Sequence, residues 1–75
     1  MRKYTIILDP DPEDGGYAVT VPALPGCITQ GESVKQCIER AGEAIAGYIK
    51  SLEAAGETVP METERPQAIT IDVVA

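Results

Sequence analysis

Apolar and polar side chains alternate along residues 3–9 (KYTIILD), with Tyr4, Ile6 and Leu8 on one side and Thr5 and Ile7 on the other. That period of two, in a run rich in β-branched residues, predicts a first strand. Residues 9–16 (DPDPEDGG) gather prolines, acids and paired glycines, which is the chemistry of a turn. Alternation returns over residues 16–21 (GYAVTV), where Tyr17, Val19 and Val21 face one way and Ala18 and Thr20 the other. Two alternating runs around a turn predict an antiparallel hairpin.

The stretch VPALPGC, residues 21–27, interrupts the pattern. Pro22 has no amide proton, so it ends the ladder or sits on an edge. Pro25-Gly26 suits the centre of a type II turn, because proline sets φ at the second position and glycine accepts a positive φ at the third. Residues 27–30 (CITQ) then read as a short third strand. The stretch is therefore a tight corner between two strands. Leu24 is either pinned inside that corner or left outside as an apolar contact for a partner.

From Ser33 onward the period changes. Val34, Cys37, Ile38, Ala41, Ala44, Ile45, Tyr48, Ile49 and Leu52 recur at three and four residues, while Lys35, Glu39, Arg40, Glu43, Lys50 and Glu53 fall largely on the opposite side. This is an amphipathic helix over residues 34–55, about 33 Å long at 1.5 Å per residue. Gly31 breaks the preceding strand, Ser33 and Gln36 fit a capping box, and Gly56 is the natural stop. Residues 57–67 form a polar connector, and residues 68–75 (AITIDVVA) alternate again, with Ile69, Ile71 and Val73 opposing Thr70 and Asp72. The predicted order is β-β-β-α-β, an α+β fold with one long helix on one face of a small mixed sheet. The other face carries Thr, Ala and Ile, and part of it is expected to be buried in an oligomer. Residues 1–75 make one domain.

Composition narrows the chemistry. The chain has no histidine, which removes imidazole bases and nearly every zinc site. Its net charge is -6, and the basic residues Arg2, Lys3, Lys35, Arg40, Lys50 and Arg65 are scattered. Without a basic stripe, direct nucleic-acid binding by this chain alone is disfavoured. An acidic surface instead suits a basic partner, although charge also serves solubility. No apolar run approaches membrane-spanning length or the core of a signal peptide, so the cytoplasm is the expected compartment, with Cys27 and Cys37 reduced. Those two cysteines read as small core residues, since no cation flanks either. Tyr17 and Tyr48 read as structural too.

The hairpin, the corner and the capped helix, taken in order, resemble the HicB family of bacterial and archaeal antitoxins. The matching text is GGYAVTVPALPGCITQGES followed by VKQCIERAGEAIAGYIKSL. It contains a Gly-Gly-Tyr strand (Gly15, Gly16, Tyr17) and a Val-Pro-x-Leu-Pro-Gly-Cys corner (Val21, Pro22, Leu24, Pro25, Gly26, Cys27). A Thr-x-Gly-Glu-Ser helix start follows (Thr29, Gly31, Glu32, Ser33), and Val59-Pro60 comes after the helix. The resemblance implies a partial RNase H-like fold. It also implies a partner, a small basic HicA-like toxin that cleaves mRNA and is blocked when the antitoxin binds it. Fuller members carry a helix-turn-helix or ribbon-helix-helix segment after the last strand. The last predicted strand here reaches Ala75, so operator binding is not expected of this chain alone.

Three sets of residues then compete for function. Asp9, Asp11, Glu13 and Asp14 crowd one turn; Asp11, Glu13 and Asp14 are the candidate toxin-contact surface, and solvation of the turn is the plainer reading. The EF-hand spacing of a calcium loop is missing. An RNase H-like fold also invites a two-metal nuclease, which needs several converging carboxylates. Strand one carries no acid at its centre, and Asp9, Asp72, Glu39 and Glu43 would meet only by chance. Neither catalytic, metal nor cofactor residues are therefore assigned, and the chain is expected not to be an enzyme. The expected roles are a protein-binding antitoxin module or, alternatively, a toxin-less oligomer (dimer or tetramer); a transcriptional regulator would need a DNA-binding segment.

Overall fold

The computed structural model describes residues 2–74. Three strands, β1 (Ile7–Pro10), β2 (Tyr17–Thr20) and β3 (Ile28–Gly31), precede one helix, α1 (Val34–Ala54). The strands lie in the order β1-β2-β3 and both pairs are antiparallel. This is the expected α+β arrangement of a hairpin, a corner, a third strand and a long helix.

Register explains which face is buried. Residues directly opposite each other in a sheet share a face. Leu8, Val19 and Thr29 form one cross-sheet row, and Pro10, Tyr17 and Gly31 form the next. These rows lie beneath α1, where Val19, Cys37 and Ala41 are buried with Ile6, Leu8 and Tyr17 packed around them. The rows Ile7, Thr20, Ile28 and Asp9, Ala18, Gln30 form the opposite face. No helix covers that face among the described residues, and Ile28 and Ala18 are exposed on it.

Each element shifts from its sequence-predicted bounds, and two of the shifts have a clear cause. Ladder pairing in β1 starts at Ile7 rather than at residue 3, because the register that pairs Ile7 with Thr20 would place Thr5 opposite Pro22, where the chain has already turned away. In β3 the strand runs through Gly31 instead of breaking there. Gly31 is needed for another reason: a Cβ on it would lie 2.8 Å from Cys37 Sγ and 2.9 Å from Cys37 N. Its missing side chain lets the first turn of α1 sit directly on β3. Gly16 makes a matching close approach, since a Cβ there would come within 2.6 Å of the Gly31 carbonyl oxygen.

The helix ends as expected. Ser33 is the N-cap, and its Oγ accepts from the Gln36 backbone N–H at 3.1 Å. The Gln36 side chain departs from the usual reciprocal cap: Oε1 accepts from the Glu32 N–H at 2.7 Å, one residue earlier than the N-cap itself. At the other end Glu57 N–H donates to Leu52 and Gly56 N–H to Glu53, the two bonds of a Schellman stop.

The predicted fourth strand does not form among the described residues. Residues 68–74 pair with no strand in the described chain, and all of them are exposed; Ala75 lies outside the described residues. Alternation gives this segment a strand's side-chain pattern, but a strand also needs a neighbour to take its backbone bonds. Among the described residues the sheet is three-stranded and wholly antiparallel rather than mixed.

Candidate functional site

The acidic hairpin loop is built around one carboxylate. Asp11 Oδ1 accepts from the backbone N–H groups of Glu13 at 2.9 Å and Asp14 at 3.2 Å. Backbone bonds from Asp11 N–H to Gly16 and from Gly15 N–H to Asp11 close the loop. Asp11 thus organises the turn, as aspartates in such loops do. Glu13 and Asp14 are exposed and have both carboxylates free of any protein partner among the described residues. The structure therefore brings Asp11, Glu13 and Asp14 together but divides their work: one shapes the loop and two present charge.

That loop borders an open groove of about 360 Å³, lined by residues including Asp11, Asp14, Glu32, Gln30, Gln36 and Arg40. Three acidic residues and one arginine are among the lining residues, and Arg40 is already engaged, donating to the Gln30 carbonyl at 3.2 Å. The formal charge of the lining is therefore negative, and the lining shares Asp11 and Asp14 with the hairpin loop.

The corner resolves the question about Leu24, which is fully buried with Val21 and Cys27. Leu24 N–H donates to Val21 at 2.9 Å and Cys27 N–H donates to Leu24 at 3.0 Å, so two successive turns fold the stretch around the leucine. Gly26 has φ +81°, as the third position of a type II turn requires. In such a turn the central carbonyl points outward, and Tyr48 Oη donates to that Pro25 carbonyl at 2.7 Å. The protruding-anchor reading is corrected: Pro22, Pro25 and Gly26 are exposed, but the apolar side chain points inward. Burial also pushes the Cys27 thiol above its ordinary value. Cys37 sits in the other core cluster, so the two cysteines belong to separate packing units.

Asp9 lies on the uncovered sheet face, Asp72 on the exposed segment beyond residue 67, and Glu39 and Glu43 on the exposed side of α1. Among the described residues no three acidic or cysteine side chains gather closely enough to hold a metal ion.

One feature escaped the sequence. Glu62, in the polar connector, clamps Thr5 with both oxygens: the Thr5 N–H donates to Oε1 at 2.6 Å and its Oγ1 donates to Oε2 at 2.7 Å. Tyr4 Oη donates to the neighbouring Pro60 carbonyl. The Thr5 amide is the group that Pro22 would have faced, so a carboxylate fills the gap left where β2 turns off. The Thr5 amide bond, then the Thr5 hydroxyl bond, holds the Glu62 carboxyl below its ordinary value of 4.5. Only the register, which leaves Thr5 without a strand partner, hints at such a latch.

No helix among the described residues is long and apolar enough to cross a membrane. A family model described as a HicB-like antitoxin of bacterial toxin–antitoxin systems matches residues 4–71. The chain is 50% identical over 60 residues to a UPF0150 protein of Thermoplasma acidophilum, covering 80% of this chain and 86% of that protein. It is 48% identical over 48 residues to a UPF0150 protein of Archaeoglobus fulgidus, covering 64% of this chain and 68% of the relative. A UPF0150 protein of Synechocystis is 42% identical over 59 residues, 79% of this chain and 73% of its own. The matched span takes in the hairpin, the corner, the helix and the latch, and on it the chain belongs to the HicB-like antitoxin family.

Proposed function

We propose that this chain is a non-catalytic antitoxin module that binds a small basic HicA-like ribonuclease in the cytoplasm and occludes the face with which that enzyme grips RNA. Family membership supports a toxin protein as the partner. The observation that carries the geometry is the hairpin tip, where Glu13 and Asp14 stand exposed on a loop whose backbone is hydrogen-bonded to Asp11. Carboxylates held there occupy the place of RNA phosphates on a basic surface, and complementary charge speeds and orients such an encounter. The test is titration of a HicA-like toxin with the double charge reversal Glu13→Lys/Asp14→Lys. Asp11 is left alone because replacing it would disturb the loop. At low salt the expected result is at least about tenfold weaker binding, or ~1.4 kcal/mol. Unchanged affinity at low salt would remove the hairpin from the interface.

A second reading, a toxin-less oligomer, is favoured by one observation. Among the described residues no element covers the sheet face bearing Ile7, Thr20 and Ile28, and Ile28 is exposed on it. Recovery of self-associated chain alone, with no affinity for any HicA-like toxin, would select this reading.

A further inference from the structure

Among the described residues, a segment with a strand's alternating pattern lacks a sheet, and a sheet edge lacks a strand. Ile69, Ile71 and Val73 alternate in sequence with Thr70 and Asp72 and are 74%, 72% and 73% exposed. The molecule measures 47 × 27 × 20 Å, with a radius of gyration of 14.3 Å. A compact chain of this length has a radius of gyration of about 11 Å, so a sizeable part of this one projects. The latch at Thr5–Glu62 fixes where the projecting part leaves the body.

The two outer edges of the sheet differ. On β3, the Gly31 carbonyl faces Gly16 and hence β2, so by alternation the Gln30 carbonyl faces outward. Arg40 takes that carbonyl, and a charged side chain on an edge is a common way to block strand addition. On β1, Asp11 N–H donates toward β2, so odd-numbered positions use that side and Leu8 presents its N–H and C=O outward. No side chain or strand covers the Leu8 edge among the described residues.

We infer that residues 68–74 of one copy pair with the outer edge of β1 in a second copy, and that the exchange is reciprocal. Each chain brings one arm and one edge, so two arms fill two edges and the assembly closes with twofold symmetry. At about 3.3 Å per residue the seven-residue arm spans ~23 Å, enough to cover β1 and the residues before it. Charge permits the contact: a chain of net charge -6 repels its copy, but Asp72 is the sole ionisable residue in the arm. Placed on that edge, Ile69, Ile71 and Val73 extend the row of Ile6 and Leu8, which α1 leaves half-buried. The inference stands independently of the antitoxin reading and is tested without any toxin.

The test compares the full chain with Ile71→Pro by light scattering and analytical ultracentrifugation at micromolar concentration. Proline cannot donate to a ladder. Ile71 contacts no core cluster of its own chain, so far-UV circular dichroism reports that the fold survives. The expected result is a wild-type assembly built of dimers, dissociating at least about 100-fold more readily in the variant with unchanged helicity. A second measurement mixes two isotopically distinct samples and reads nuclear Overhauser effects between chains. Contacts from Ile71 of one copy to Leu8 of the other support the exchange. A monomeric wild type, an assembly indifferent to Ile71→Pro, or contacts confined to one chain or to arm against arm would each overturn it.

Discussion

Residues 17–21 (YAVTV) and residues 69–73 (ITIDV) share an alternating alphabet, yet Val19 is fully buried and Ile71 is 72% exposed. The difference lies in neighbours. The first run has β1 on one side, β3 on the other and α1 above it. The second has none of these among the described residues. Alternation thus sets which side chains share a face, whereas burial depends on a partner strand that the local sequence does not name.

The comparison breaks most visibly at Leu24. Leu24→Ala should cost about 2–5 kcal/mol, because a fully buried leucine leaves a cavity, whereas Ile71→Ala should change monomer stability by less than about 0.5 kcal/mol. Urea unfolding at a concentration low enough to keep the chain monomeric measures both. Equal costs would mean that the segment beyond residue 67 packs on its own body.

A smaller effect is expected at Gly31→Ala, about 1–3 kcal/mol, because the new methyl meets the Cys37 backbone nitrogen as well as its sulfur. Gly42→Ala is the control, since a Cβ there meets nothing, and it should stabilise the helix by up to about 1 kcal/mol. If the two substitutions behave alike, α1 does not sit as close to β3 as described.

Next in size is the cap. Ser33→Ala should lose about 1 kcal/mol, readable as a lower thermal midpoint. Pro25 offers a smaller check: Tyr48→Phe removes the hydrogen bond to its exposed carbonyl, which water can replace, and should cost at most about 1 kcal/mol.

The latch makes a prediction in pH. The folded Glu62 carboxyl titrates below its ordinary 4.5, so the folded state favours the ionised form. Its contribution is complete above pH 4.5 and is lost as pH falls through the lower folded value. Wild type should therefore lose stability in that acid range relative to Glu62→Gln, and the two pH profiles should converge at the acid end. Parallel profiles would show that the Thr5 bonds do not favour the carboxylate.

Much of the body was legible because each element carries its own signal. The hairpin follows from two alternating runs around DPDPEDGG, the corner from Pro25-Gly26, and the helix from its three-four spacing between Ser33 and Gly56. What stayed hidden depends on pairs far apart in the chain. Gly31 read as a strand breaker because its neighbour, Cys37, belongs to the helix that folds back over it. Glu62 read as connector because its partner is 57 residues away. The fourth strand was over-read for the same reason, since a period of two reports shape and not company. At the candidate site, the acids were found, but their division of labour was not. Only the hydrogen bonds show that Asp11 holds the loop while Glu13 and Asp14 face outward.

The most direct test of the antitoxin reading is recovery of the tagged chain from the cell that makes it, at low salt, with the co-purifying proteins identified and assayed. On the antitoxin reading, a small basic protein comes down in near-equal amount, with a ribonuclease activity that is silent in the complex and returns when this chain is removed. A partner that cleaves RNA equally well with the chain bound, or recovery of the chain with copies of itself alone, would contradict it.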